Sequence, residues 1–225
     1  MQNSQQQYES QWRHRLKRES KEPFYQYERN WVLPSLFKNK EKVLDLASGN
    51  SIVGEFLVKN FDCKVSAIDI SSSAIKDAKK RGVEGIVGSV DGKLPFDSNS
   101  FDMVFWGDNI EHVMYPKKVL LEIKRVLKKD GRLILSTPNQ AYWRYRIYPL
   151  IHGFLPKTEG EDNPPWEWGH IRFFNRKVLN NLFLESGFTE TKFIGVSRRK
   201  PDKYILPKLA ELFGMIMVVE AGVKK

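Results

Sequence analysis

The pattern of apolar and polar positions changes twice along the chain. Residues 1–10 are polar and Gln-rich, which predicts a loose arm. From Tyr8 to Phe37 the apolar positions Tyr8, Trp12, Leu16, Phe24, Tyr27, Trp31 and Leu36 are spaced as in a helix, with Pro23 at a helix start. The period then shortens. Lys42–Leu46 reads as a strand, the small-residue turn Ala47-Ser48-Gly49-Asn50 follows, and Ser51–Lys59 reads as a helix. Cys63–Ile70 is a second strand. Ser71 is an N-cap for a helix over Ser72–Arg81. Gly85–Gly88 and Phe101–Trp106 are further strands. Pro116–Lys129 is an amphipathic helix with Val119, Leu120, Ile123 and Val126 inward, stopped by Asp130-Gly131. Arg132–Ser136 is a fifth strand.

Strands alternating with helices at this spacing predict an α/β fold with a doubly wound, mostly parallel sheet. After Pro138 the alternation breaks. Residues 139–175 are rich in aromatics, Pro and Arg and read as an insertion over the sheet. It resumes with a helix at Lys177–Ser186, a strand at Thr189–Val196, a helical stretch near Leu206–Phe213 and a strand at Met215–Glu220. The expected organisation is one domain over 1–225. It divides into an N-terminal helical arm (1–40), a ligand-binding half (41–138), the insertion (139–175) as a substrate lid, and C-terminal helices and strands (176–225).

Composition narrows the class. The chain has 225 residues, 41% hydrophobic and 28% charged, which suits one globular domain with a full core. Lys+Arg exceed Asp+Glu by 37 − 27 = 10. That surplus leaves nucleic acid, anionic lipid and anionic small molecules open as partners. The single cysteine, Cys63, excludes an internal disulfide and a multi-thiolate zinc site; it reads as a core residue. The start MQNSQQQYES lacks the order of a secretion signal, and no apolar run is long enough to span a bilayer, so a cytoplasmic protein is expected.

In a doubly wound sheet, ligands lie across the carboxyl ends of the strands. The first strand delivers Asp45 and the turn Ala47-Ser48-Gly49-Asn50, where small side chains let backbone N–H groups approach a ligand. The second ends at Asp69-Ile70, with a carboxylate placed to accept both hydroxyls of a ribose. The third leads to Ser89-Val90-Asp91, where a base edge can be read. The fourth ends in Gly107-Asp108, facing the same crevice. A dinucleotide needs G-x-G-x-x-G after the first strand; here Gly49 is followed only by Gly54. Asp45 suits a ligand carrying an ammonium there. S-adenosylmethionine offers ammonium, ribose and adenine together.

The segments VLDLASGN (Val43–Asn50), VSAIDIS (Val65–Ser71), LPFDSNSFDMVFWGDNIEHV (Leu94–Val113) and LKKDGRLILSTPN (Leu127–Asn139) carry a resemblance. The sequence resembles class I S-adenosylmethionine-dependent methyltransferases, in the small-molecule subgroup with the ubiquinone-biosynthesis enzymes. The resemblance implies seven strands in the order 3-2-1-4-5-7-6 with strand 7 antiparallel, and S-adenosyl-L-methionine as cofactor. The family turn usually has Gly where this chain has Ala47 and Ser51. Ala47 costs little there if its φ is negative.

Two histidines are candidate catalytic residues. His112, just past the fourth strand, is either a general base for a substrate hydroxyl or a helix-start histidine bonded to backbone. The Asp108, Glu111 and His112 trio also has the residue types of a divalent-metal site, but no further ligand is apparent, so no metal is expected. His170, in His170-Ile171-Arg172-Phe173-Phe174, either faces the reaction centre or pins the insertion to the sheet. Asp102 is expected to be structural. The aromatic and arginine-rich Tyr142–Ile151 is expected to form a lid, with peripheral membrane contact open. The basic run Lys117, Lys118, Lys124, Arg125, Lys128 and Lys129 reads as the solvent face of one helix; Arg198, Arg199, Lys200 and Lys203 form a second basic patch. The expected activity is methyl transfer to a small, lipid-linked or glycan-linked acceptor, with oxygen favoured, by a monomer or homodimer. The alternatives are an RNA or protein methyltransferase and a non-catalytic S-adenosylmethionine-binding protein. Nucleic acid is disfavoured because the Asn/Asp-Pro-Pro-Tyr/Phe motif of amino-group methylases is missing after the fourth strand.

Overall fold

In the computed structural model, residues 9, 24–154, 170–197 and 207–224 are described. They form a seven-stranded sheet in the order β3-β2-β1-β4-β5-β7-β6. The strands are β1 (Lys42–Leu46), β2 (Lys64–Asp69), β3 (Glu84–Val87), β4 (Phe101–Gly107), β5 (Leu127–Pro138), β6 (Phe188–Val196) and β7 (Ile216–Val223). Pairing is parallel from β3 through β5, and β7 runs antiparallel to both β5 and β6. This is the expected order, including the reversed seventh strand.

Helices α1 (Ile52–Phe61), α2 (Ser72–Lys80), α3 (Pro116–Val126), α4 (Trp143–His152), α5 (Arg176–Ser186) and α6 (Pro207–Phe213) complete the elements. Four of the five residues of β1 are buried, so both its faces are covered, as a central parallel strand requires. Alternate residues separate into two cores. Leu44, Leu46, Val104 and Trp106 pack with Leu120 and Ile123 of α3 and Leu179 and Phe183 of α5. Val43, Met103 and Phe105 pack with Leu57 of α1, Ile75 of α2 and the N-terminal residues Phe24 and Leu33. Burial of this apolar area, at roughly 25 cal/mol per Å², is the main force holding the layers together. Ser71 caps α2, its hydroxyl accepting the Ala74 N–H at 3.1 Å.

Three expectations are corrected. Residues 24–35 are not one helix but three short 3₁₀ turns, Phe24–Gln26, Glu28–Trp31 and Leu33–Ser35. Phe24, Asn30, Leu33 and Leu36 are buried and Tyr27 half-buried, a spacing of three that stacks side chains along a 3₁₀ path. The helix predicted to run to Lys129 ends at Val126, and the chain enters β5 at Leu127 through a register shift opposite Phe101 and Met103. Asp130-Gly131 lies inside that strand rather than ending a helix. Gly131 suits it, because a Cβ there would stand 2.9 Å from the Lys128 carbonyl oxygen. Lys128 therefore leaves the helix face and pairs with Asp102 at 2.7 Å, while Asp102 also accepts the Lys42 N–H, the structural role expected of it. Ala47 has φ +52°, in the left-handed region, so the condition on which it would cost little is not met.

Cys63 is buried beside the start of β2, and burial raises its thiol pKa, consistent with a core residue. Tyr8, Trp12, Leu16, Pro23, residues 155–169 of the insertion and the patch Arg198, Arg199, Lys200 and Lys203 lie outside the described residues.

Candidate active site

The carboxyl ends of β1, β2 and β4 meet in one crevice. The turn after β1 is tightly wound, with positive φ at Ala47, Gly49 and Ser51. It is held from below and from the side. Ser48 donates its N–H to the Ile68 carbonyl of β2, and Gly49 donates its N–H to Asp69 Oδ2 at 2.7 Å. The other Asp69 oxygen accepts the Ser71 N–H at 2.9 Å. Asp69 is thus a brace between turn and strand, and burial raises its pKa. The Ile70 backbone bonds the carboxylate as well, and of its four lone-pair sites capacity for a hydroxyl remains.

Asp45 is 2% exposed and accepts the Ser51 hydroxyl at 2.6 Å. Burial pushes its pKa up to about 7, against the opposing pull of that hydrogen bond and of Arg29. Arg29 comes from the N-terminal 3₁₀ turns. It pairs with Asp108 and lies over the Tyr27 ring at 5.2 Å. Tyr27, Arg29, Asn30, Asp45, Ser48 and Gly107 line a cavity of about 50 Å³, which Ala47 and Asn50 also border. The Asn50 amide points toward Asp77 at 3.4 Å. At the edge of the sheet Val90 is buried, while Ser89 and Asp91 are exposed and bonded to each other, the Ser89 hydroxyl accepting the Asp91 N–H. Ile70 is half-buried at the end of β2.

Beyond β4 the chain turns rather than entering a helix, so Glu111 and His112 do not diverge. Their ligand atoms and those of His170 all lie within 4.8 Å of one another. The His112 and His170 rings meet edge to face with centroids 4.7 Å apart, and His170 Nε2 stands 3.9 Å from Glu111 Oε1. Glu111 is 2% exposed, and its Oε2 accepts the Thr137 hydroxyl of β5 at 2.9 Å. The Glu111 carbonyl oxygen accepts the N–H groups of both Ile171 and Arg172, which fixes the 170–172 segment to this turn. Burial and the neighbouring His112 lower the His170 pKa to about 4. His170 thus lies against His112 and Glu111, in the segment that Ile171 and Arg172 tie to the turn after β4. Asp108 does not join this trio; it is held by Arg29 and by the Ser136 hydroxyl at 2.7 Å.

Residues 44–135 match the family described as "Methyltransferase domain". A ubiquinone/menaquinone biosynthesis C-methyltransferase of Desulfotalea psychrophila is 30% identical over 168 residues, covering 68% of this chain and 67% of that protein. The chain belongs to the class I S-adenosylmethionine-dependent methyltransferases. The mitochondrial ubiquinone biosynthesis O-methyltransferase of Schizosaccharomyces pombe is 36% identical over 111 residues, covering 45% of this chain and 39% of that protein. A solved Thermotoga maritima S-adenosylmethionine-dependent methyltransferase, described as a possible histamine N-methyltransferase, superposes with a TM-score of 0.64 at 23% identity over 91% of each chain. At that identity the likeness is one of fold.

The residues fit the cofactor of a methyltransferase. The cavity at the end of β1 carries both a carboxylate and a guanidinium, Asp45 and Arg29, matching the ammonium and carboxylate of an amino acid. Arg29 was not singled out in the sequence, because a lone arginine in an aromatic N-terminal segment has no motif. Thr137 was likewise missed, being one small polar residue in an apolar strand. Among the described residues no helix is long and apolar enough to cross a membrane.

Proposed function

We propose that this methyltransferase acts on a hydroxyl oxygen of a small, lipid-linked or glycan-linked acceptor that enters beneath residues 139–175. The observation carrying this reading is the cluster of buried Glu111 with half-buried His112 and His170 beyond β4, four residues along the chain from the Gly107 lining of the cavity at the end of β1. A hydroxyl must lose a proton as it takes up a methyl group, and a neutral amine need not. A cluster of two imidazoles and a carboxylate is the equipment for the first task. The names of the relatives span carbon, oxygen and nitrogen acceptors, so the acceptor atom rests on the cluster.

S-adenosylmethionine supplies the electrophilic methyl. The protein supplies the rest. Asp69, with Ile70, takes the ribose; Ser89, Val90 and Asp91 border the adenine; Asp45, Ala47, Ser48, Gly49, Asn50, Gly107 and Asp108, with Arg29, enclose the amino-acid end. Anchoring the cofactor at its two ends leaves the sulfonium without an apposed carboxylate, which avoids stabilising the ground state. His112 takes the hydroxyl proton. His170, with a pKa near 4, is neutral but a weak base, and orients its neighbour.

The test is methyl transfer from labelled S-adenosylmethionine to hydroxyl-bearing and amine-bearing acceptors of matched shape. His112→Ala should lower kcat about 10²–10⁴-fold while leaving cofactor affinity unchanged. Transfer to amines alone, or unaltered kcat in His112→Ala, overturns the reading.

A further inference from the structure

We infer that Glu9 is a positioning residue for the cofactor: by holding Ser71 it sets the carboxylate of Asp69 toward a ribose hydroxyl. The inference rests on the seating of the ribose on Asp69 proposed above; the contacts that Glu9 makes stand without it.

Glu9 comes 62 residues before Ser71 in the chain and lies half-buried against the start of α2. Its Oε2 accepts the Ser71 hydroxyl at 2.8 Å. Its Oε1 accepts the Ser73 N–H at 3.2 Å and the Ser72 hydroxyl at 3.4 Å. One carboxylate thus takes a bond from each of three successive serines. An acid suits that place, because the first turn of a helix offers N–H groups without intrahelical partners and the positive end of its dipole. A hydroxyl has a single proton to give. Ser71 gives its proton to Glu9, so toward the Ala74 N–H and the Ser73 hydroxyl, each at 3.1 Å, it is the acceptor. Ser71 is 0% exposed, and with both roles of its hydroxyl taken the side chain is fixed.

Capping α2 does not require Glu9, since the Ser71 oxygen accepts the Ala74 N–H whatever becomes of its proton. What Glu9 adds is a fixed Ser71, and the Ser71 N–H bonds Asp69 Oδ1 at 2.9 Å. Oδ2 is held from the other side by the Gly49 N–H at 2.7 Å. The Asp69 carboxylate is therefore steered from the turn after β1 and from the start of α2, and Glu9 secures the second of these. Glu9 is close enough to raise the Asp69 pKa, after the larger effect of burial, so the two carboxylates share one neighbourhood. Groups aligned before a ligand arrives need no ordering when it binds. Loss of Glu9 frees Ser71 and lets the Asp69 carboxylate turn. The loss falls on the ribose hydroxyls and leaves the adenine and amino-acid ends of the cofactor as they were.

The experiment is calorimetric titration of the full chain with S-adenosylhomocysteine and with its 2′,3′-dideoxy analogue, which lacks the ribose hydroxyls. The parent should prefer the hydroxyl-bearing ligand at least about 10-fold, the worth of one hydrogen bond to a charged group. Glu9→Ala should bring that preference to within about threefold by weakening S-adenosylhomocysteine alone. Equal binding of the dideoxy analogue by parent and variant reports that the site is folded. Glu9→Gln, which keeps one oxygen for the Ser71 hydroxyl, should restore most of the preference. Equal weakening of both ligands in Glu9→Ala and Glu9→Gln gives Glu9 a role in the fold around α2 only and overturns the inference. A preference that Glu9→Ala leaves unchanged overturns the inference and keeps the ribose on Asp69. A parent that binds both ligands equally overturns the seating of the ribose itself, and the inference with it.

Discussion

Asp45 carries an unusual burden for one residue. It sits inside a central strand with both faces covered, and burial raises its pKa to about 7 from the 3.8 of an exposed carboxyl. Between those values the unfolded chain gives up the proton and the folded chain keeps it. The stability contribution is therefore fully present below about pH 4 and is lost as pH rises through about 7, amounting to about 4 kcal/mol at most. Asp45→Asn removes the titration. Wild-type Tm should fall relative to that variant between pH 5 and pH 8 in the cofactor-free protein; parallel curves refute the assignment. A cofactor ammonium beside Asp45 favours the carboxylate, so binding at pH 6 should release a proton, read by calorimetry in buffers of different ionisation enthalpy.

Elements are fixed by pairs as well as by periodicity. Arg132, 6% exposed at the head of β5's central run, donates to Glu41 at 2.8 Å and to the Leu36 carbonyl at 3.0 Å. The pair ties the N-terminal segment to the sheet just before β1. Removing one partner leaves the other charge buried, at a cost of about 3–5 kcal/mol. Glu41→Ala should show that loss in urea denaturation. A change under 1 kcal/mol would mean that water, or Glu220 at 3.9 Å from Arg132 Nε, takes the place of Glu41. Strands and helices around the cofactor were legible in the sequence because each follows one period: β1 from Lys42-Val43-Leu44-Asp45-Leu46, α2 from the Ser71 cap. The 3₁₀ turns were not, since Phe24, Tyr27, Asn30 and Leu33 follow a period of three with a polar member. The end of α3 was missed because Asp130-Gly131 has the chemistry of a helix stop while serving a bulge in β5. At the site, Asp45, Asp69 and the turn announced themselves by position, whereas the union of Glu111 with His170 depends on a pairing across 59 residues of chain that no local pattern encodes.

At the scale of the whole molecule, the half around β1, β2 and β4 is cross-braced, and the described ends of the segment 139–175, residues 139–154 and 170–175, are tied to it. Asn139 anchors their start through its amide to the carbonyls of Glu211 and Gly214, and His170–Arg172 anchor their end to Glu111. Between these anchors α4 buries none of its residues and exposes Leu150 and Ile151, and Phe154 is exposed just beyond its end. A helix that buries none of its residues, as α4 does, can shift over the crevice without disturbing the sheet. Trp143 begins α4, with Arg144 over its ring at 5.3 Å and Tyr142 beside it. On the proposed reading it meets the acceptor rather than the cofactor, whose proposed contacts lie on β1, β2 and β4. Trp143→Ala should raise the acceptor KM several-fold, the loss expected of one aromatic contact, while the S-adenosylmethionine affinity stays within twofold of the parent. Steady-state kinetics with each substrate varied in turn makes the measurement. Equal loss of cofactor binding, with the acceptor KM unchanged, would place α4 in the cofactor site and remove the lid from the description of this enzyme.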